Sequence, residues 1–233
     1  MKGLLIIPAY NEERAIGNVI EDIKTHYPGA DIVVVNDGSP DSTADVARAH
    51  GAGVIDLPHN LGIGGAMQTG YKHAMAEGYD IAIQFDGDGQ HRADQIEELV
   101  KPLLDGDADM VIGSRFLGEK GYEWTLTRLI GIKILSAVIS TLSGRKITDP
   151  TSGFRAANRK VMKFFSSYYP DDYPEPEAVI LLHKAAFRMA EVPVLMRERQ
   201  SGSSSITTAR SVYYMLKVLL AILIDMLKRV PGR

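Results

Sequence analysis

Two aspartates stand two residues apart in "FDGDGQH" (85–91), directly after the apolar run "IAIQF". Side chains at i and i+2 of an extended segment point to the same side, so Asp86 and Asp88 can converge on one point. Gln90, two residues on, can add a neutral oxygen. Oxygen donors of this kind suit a hard cation, Mg²⁺ or Mn²⁺, that bridges to phosphate oxygens. The plainer alternative is a solvated turn, because glycine and aspartate are common turn formers. In "HNLGIGGAMQTG" (59–70), Gly62, Gly64 and Gly65 precede a helical pattern whose N-terminus could cradle a phosphate. A dinucleotide fingerprint would need glycine or alanine where Met67 stands, and no G-K-[ST] phosphate loop exists, which argues against a dehydrogenase or an NTPase. The chain has no cysteine, so disulfides, thiolate metal sites and cysteine nucleophiles are excluded. No His–carboxylate pair offers itself as a general base; His91 reads as packing or as indirect support of the acidic loop.

The elements that must position these residues are short strands alternating with helices. "GLLIIP", "DIVVVND", "GVIDLP", "DIAIQFD" and "DMVIGSR" are rich in Ile and Val, and helical spacing separates them. Near-continuously apolar strands in such an alternation predict an α/β fold with a mostly parallel sheet covered on both faces. Ligands of such sheets bind outside the carboxyl ends of the strands. There the chain carries "PAYNEE", "NDGSPDS", "PHNLGIGG", "DGDGQH" and "GSRF". One polar turn is ordinary; five on one edge favour a site. Beyond them the sequence predicts a helix over 125–143, a polar turn over 144–156, a loop entering a helix over 168–187, a strand from 190 and a last helix over 207–229. The 233 residues, 45% hydrophobic and with a net charge of −3, suit a globular protein that buries its own core and give no electrostatic reason to expect nucleic acid. The apolar run after Lys2 is too short for a signal-peptide core, and no stretch reaches the roughly 20 apolar residues of a spanning helix.

The ordered set "IIPAYNE", "VVNDGSPDST", "HNLGIGGAMQTGY", "DGDGQH", "GSRF" and "DPTSGFRA" resembles the family 2 glycosyltransferases of the GT-A fold, most closely the dolichyl- and undecaprenyl-phosphate sugar synthases. The resemblance spans about residues 3 to 206. It implies an inverting, metal-dependent transfer of a hexose or N-acetylhexosamine from a UDP- or GDP-sugar to a polyprenyl phosphate, with Mg²⁺ or Mn²⁺ as cofactor. Carried over by position, it implies that Pro8, Tyr10, Glu12, Asp37, Gly64 and Asp86 bind the nucleotide-sugar, with Asp37 accepting a hydrogen bond from the base. Asp86, Asp88 and Gln90 are the implied metal ligands. Arg115, Arg128 and Arg199 are implied for the phosphates, and Asp88, Arg115, Asp149 and Arg199 for catalysis. Asp149 orients a substrate or caps its turn. The nucleophile, a phosphate monoester with a second pKa of about 6, requires no side-chain base.

The chain also departs from the family. "GSSSI" (202–206) stands where the dolichyl-phosphate enzymes carry G-E-S-K-L, so Ser205 replaces a lysine. Glu175 and Glu177 of "YPEPEA" stand where many relatives have an E-D pair serving as base or acceptor-binding group. A rival reading, transfer to a glycan or lipid-glycan hydroxyl, would need one of these two as base. A third reading is a non-catalytic nucleotide-sugar-binding subunit of a membrane complex. On the last helix Arg210, Lys217, Asp225 and Lys228 are expected to share one polar face; on residues 125–143, Lys133, Ser136, Ser140 and Ser143 form a narrow polar stripe. Two core helices would explain both patterns. A lipid acceptor favours helices lying in the membrane interface or against a membrane-spanning partner. The expected organisation is a GT-A domain over 1–206 and an interfacial amphipathic helix over 207–233. The expected location is the cytoplasmic face of the cell membrane, with a small integral membrane protein or a second copy as partner.

Overall fold

The computed structural model describes residues 1–118, 126–197 and 208–228, without the side chains of 126–128 and 208–214. The described residues form a seven-stranded sheet: β1 (Gly3–Ala9), β2 (Asp31–Asn36), β3 (Gly53–Asp56), β4 (Ile81–Gln84), β5 (Met110–Ser114), β6 (Arg155–Asn158) and β7 (Met189–Pro193). Its order is β3-β2-β1-β4-β6-β5-β7. All pairings are parallel except those of β6, which runs antiparallel to both β4 and β5. The five strands expected from the Ile/Val runs therefore share one carboxyl edge.

The polar turn expected over 144–156 is the main departure. Its last residues enter β6, in the middle of the sheet between β4 and β5. Because β6 is antiparallel, its first residue lies at the carboxyl edge of its neighbours, and the turn before it, Asp149–Phe154, is delivered there. Asn158 ends the strand and caps the next helix, its side chain accepting from the N–H groups of Lys160 and Val161.

On one face of the sheet lie α1 (Ile16–His26), α2 (Thr43–Ala49) and α4 (Ile96–Leu104); on the other lie α3 (Gly62–Ala76), α5 (Leu126–Ser143), α6 (Arg159–Ser167), α7 (Pro174–Lys184) and α8 (Thr208–Leu227). α4 buries Ile96, Leu99, Val100 and Leu103, spaced for one helical face. Pro8 is tolerated in central β1 because β4 stops pairing at Ile6, leaving no ladder bond on that side to lose.

On α8 the residues expected to share one polar face divide: Lys217 and Lys228 are exposed, whereas Asp225 is buried. Asp225 is 2% exposed and faces inward, while Leu216, Leu220, Leu223, Ile224 and Leu227 of the same helix are exposed. Val218 and Ile222 join the buried core. On α5, the hydroxyls of Ser136 and Ser140 donate to the Ile147 carbonyl, Ser143 is buried, and Ile130 and Ile134 face outward. The serines of the expected polar stripe hold the 144–148 turn. Among the described residues no helix is long and apolar enough to cross a membrane.

Candidate active site at the carboxyl edge of the sheet

The acidic loop follows β4 directly. Asp88 Oδ1 accepts the Gln90 N–H at 3.0 Å, folding the loop on itself, and Gly89 sits at φ 78° to complete the turn. His91 pins it. The Asp86 N–H donates to His91 Nδ1 at 3.0 Å, which leaves the ring proton on Nε2, 3.4 Å from Asp86 Oδ2. The ring stacks on Phe154 and meets the edge of Phe85, with centroids 5.0 and 5.2 Å away. Burial pushes its pKa down to about 4, so it is neutral at physiological pH.

A second polar cluster comes from residues far apart in the chain. Arg115, one residue past β5, donates from Nε to Asp149 Oδ2 at 2.5 Å and from Nη2 to Asp149 Oδ1 at 2.7 Å. Nη2 also reaches Thr151 Oγ1 at 2.8 Å. Asp149 is fully buried, and Glu191 of β7 accepts the backbone N–H groups of Thr148 and Asp149. Two of the sequence-named residues are thus partners: Asp149 fixes the planar fork of Arg115. The charges of Asp88, Arg115 and Asp149 all act on His91, which brings the two clusters together around one ring.

Beside β1 and β2, Tyr10 is exposed and Asn11 takes φ 58°, turning the chain so that the Glu12 N–H reaches Thr43 Oγ1. Asp37 is buried, and its two carboxylate oxygens accept the N–H groups of Leu61 and Gly62 at 2.7 and 2.9 Å. A carboxylate at this position complements the positive N-terminus of α3. At Gly64 a Cβ would lie 2.3 Å from the Pro170 carbonyl oxygen, so only glycine lets α3 approach the 170–171 backbone. Arg128 lies in α5 with its side chain outside the description, and Arg199, with "GSSSI", lies outside the described residues. Just before that segment, the Arg197 N–H donates to the Gln90 carbonyl at 2.9 Å and its guanidinium pairs with Asp22.

The structure separates the two glutamates of α7. The Glu175 carboxyl feels Arg155 and Asp86, so it faces the site, and burial raises its pKa. Glu177 faces α8, where burial and the Asp225 carboxyl push its pKa up to about 8 and Lys228 bonds Asp225 at 2.7 Å. Two groups at the edge were given no role by the sequence reading. Gln84 and Arg155 are buried polar residues in central strands, directly opposite in the β4–β6 register. The signal for the first was present: a glutamine inside "IAIQF".

The donor set of the acidic loop fits a hard divalent cation. Asp86 and Asp88 offer carboxylate oxygens on consecutive i, i+2 positions, and neutral His91 carries its proton on the nitrogen nearest them. Among the described residues no group of three or more His, Asp or Glu side chains is arranged to hold a metal. An ion here would therefore take further oxygens from its substrate, the usual habit of Mg²⁺ beside phosphates.

A mostly parallel sheet that gathers carboxylates and a fixed arginine at its carboxyl edge has the usual place for ligands in open α/β folds. The family model described as "Glycosyl transferase family 2" matches residues 4–165, and the chain belongs to that family. It is 35% identical over 210 residues to the UDP-N-acetylglucosamine–dolichyl-phosphate N-acetylglucosaminyltransferase of Methanococcus voltae, covering 82% of this chain and 83% of that one. It is 30% identical over 228 residues to the polyprenol monophosphomannose synthase of Mycolicibacterium smegmatis, covering 92% and 84%. The glucosyl-3-phosphoglycerate synthase of Mycobacterium tuberculosis, solved with Mn²⁺, UDP and phosphoglyceric acid, superposes with a TM-score of 0.75 at 21% identity over 99% of this chain and 80% of that one. That likeness is one of fold.

Proposed function

We propose that the chain is a metal-dependent, inverting glycosyltransferase that moves a hexose or N-acetylhexosamine from a UDP- or GDP-sugar to a polyprenyl phosphate at the cytoplasmic membrane face. The observation that carries this reading is that the turn holding Asp149, which fixes Arg115, also abuts the Asp86 carboxylate at Gly153. One cluster suits a cation and the other a diphosphate. An oxygen of the acceptor phosphate attacks the anomeric carbon, the bond from that carbon to the diphosphate breaks, and the configuration inverts. A divalent ion, when bound, would offset the charge developing on the leaving diphosphate. Asp86, Asp88 and Gln90 would hold it. Arg115, locked by Asp149, supplies fixed positive charge that needs no reorganisation during reaction. Pro8, exposed Tyr10, Glu12, Asp37 and Gly64 border the nucleoside side, and Arg128 and Arg199 are assigned to the acceptor phosphate. The acceptor is already anionic at neutral pH, so no base is demanded of Glu175.

The outward apolar residues of α5 and α8 support docking on a bilayer surface, where the acceptor's phosphate is reached. The names of the relatives from Methanococcus voltae and Mycolicibacterium smegmatis, which specify a dolichyl phosphate and a polyprenol, favour the same acceptor class. The test is an activity screen with undecaprenyl phosphate, Mg²⁺ or Mn²⁺ and a panel of UDP- and GDP-linked labelled sugars. Lipid-extractable label identifies donor and acceptor class together; label found only on a water-soluble acceptor overturns the reading.

A further inference from the structure

Arg155, the first residue of β6, is 2% exposed and carries a charge that arginine does not shed by deprotonation. The antiparallel register sets it opposite Gln84 of β4. Its Nε donates to the Ser152 carbonyl at 2.7 Å and its Nη2 to the Pro150 carbonyl at 2.9 Å, so the fork grips the turn from within the sheet. Nη1 makes no hydrogen bond among the described residues. Beside the gripped turn, a Cβ at Gly153 would lie 2.9 Å from both carboxylate oxygens of Asp86 and 3.2 Å from Gln84 Nε2. The turn backbone therefore abuts Asp86 directly. At the turn's other end stands Asp149, which orients Arg115. A buried guanidinium needs negative charge nearby. The Glu175 carboxyl lies within reach of the guanidinium charge, which acts to lower its pKa.

We propose that Arg155 is a positioning residue: by clamping the Pro150–Gly153 turn it fixes the Asp86 carboxylate and, through Asp149, the Arg115 guanidinium in one rigid arrangement toward a divalent cation and a diphosphate. The role rests on the metal-dependent reading above. It also explains why a charged residue opens a central strand, where burial is costly. A clamp held by the sheet itself cannot drift with the loops it serves.

Two variants test it. Arg155→Lys keeps the charge and loses the planar fork, so the net charge around a cation is unchanged and any loss reports geometry. Gly153→Ala presses on Asp86 from the turn and leaves the Arg155 side chain untouched. Mn²⁺ binding in the presence of UDP or GDP is read from the free-ion electron paramagnetic resonance signal, on protein whose fold is checked by circular dichroism. The expected result is Mn²⁺ binding weaker by about ten- to a hundredfold in each folded variant, a typical cost of removing support behind a metal ligand. The Mn²⁺ concentration for half-maximal transfer should rise in parallel, with a smaller fall in kcat at saturating metal. Unchanged Mn²⁺ affinity in a folded variant overturns the positioning role and leaves the proposed reaction standing. A wild-type chain that transfers sugar without binding Mn²⁺ or Mg²⁺ overturns the metal reading and this role together. If neither variant folds, the clamp serves folding alone, and the proposal fails.

Discussion

The carboxyl edge of the sheet and the α5–α8 corner handle polar groups in opposite ways. At the edge, buried polar side chains from β4, β6 and the segments after β4 and β5 are gathered across long sequence separations, and Arg115 and Asp149 pair there. At the corner, serines and Asp225 turn inward while a row of leucines and isoleucines faces out. The edge therefore concentrates polar groups, whereas the corner offers an apolar surface whose exposure costs free energy until something covers it. The proposed division of labour is chemistry at the edge and lipid contact at the corner.

Variants can break or sharpen that contrast. The largest effect is expected from Asp88→Asn, which should lower transfer by about 10²–10³-fold, the scale of losing one electrostatic contributor to the transition state. Lipid-extracted product measures it, and an unchanged circular dichroism spectrum shows that the fold survives. Asp149→Ala strands the Arg115 guanidinium and should cost about 3–5 kcal/mol of stability, as breaking a buried pair does. Urea unfolding checks this, and adding Arg115→Met should recover part of the loss.

Glu177 gives a gentler, pH-dependent effect at the α7–α8 contact. Its pKa is raised from an ordinary 4.5 to about 8, so its contribution is complete below the lower value and is lost as pH rises through the higher. Stability should decline between these values by at most about 1.4 kcal/mol per pH unit. Glu177→Gln should flatten the slope in urea titrations at several pH values. The smallest change is expected from Leu220→Ser with Leu223→Ser. Binding to anionic phospholipid vesicles should fall by about tenfold, the yield of roughly 1.4 kcal/mol of lost apolar burial. The melting temperature should move little, because both residues are exposed. These point variants test the membrane contact better than truncation at residue 207, which would also strip Val218 and Ile222 from the core.

Much of the architecture was legible because its signals are local. Ile/Val runs with helical spacing between them fix parallel strands, and turn chemistry marks their carboxyl ends. β6 escaped because "RAAN" is four residues long, lacks β-branched side chains and takes its strand conformation only from the β4 and β5 ladders on either side. The burial of Asp225 was not legible because helical periodicity groups residues into faces without saying which neighbour meets them.

The sequence by itself determined the sheet class, the acidic loop and the family, since each depends on residue types within short motifs and on their order along the chain. Tertiary structure alone decided the partnerships. It joined Arg115 to Asp149 across 34 residues and set Arg155 against Gln84. It also sent Glu175 toward Asp86 and Glu177 toward Asp225. Two residues along a helix advance about 200°, so the pair had to diverge. Only the packing of α7 between the sheet edge and α8 could choose which of them faces the site.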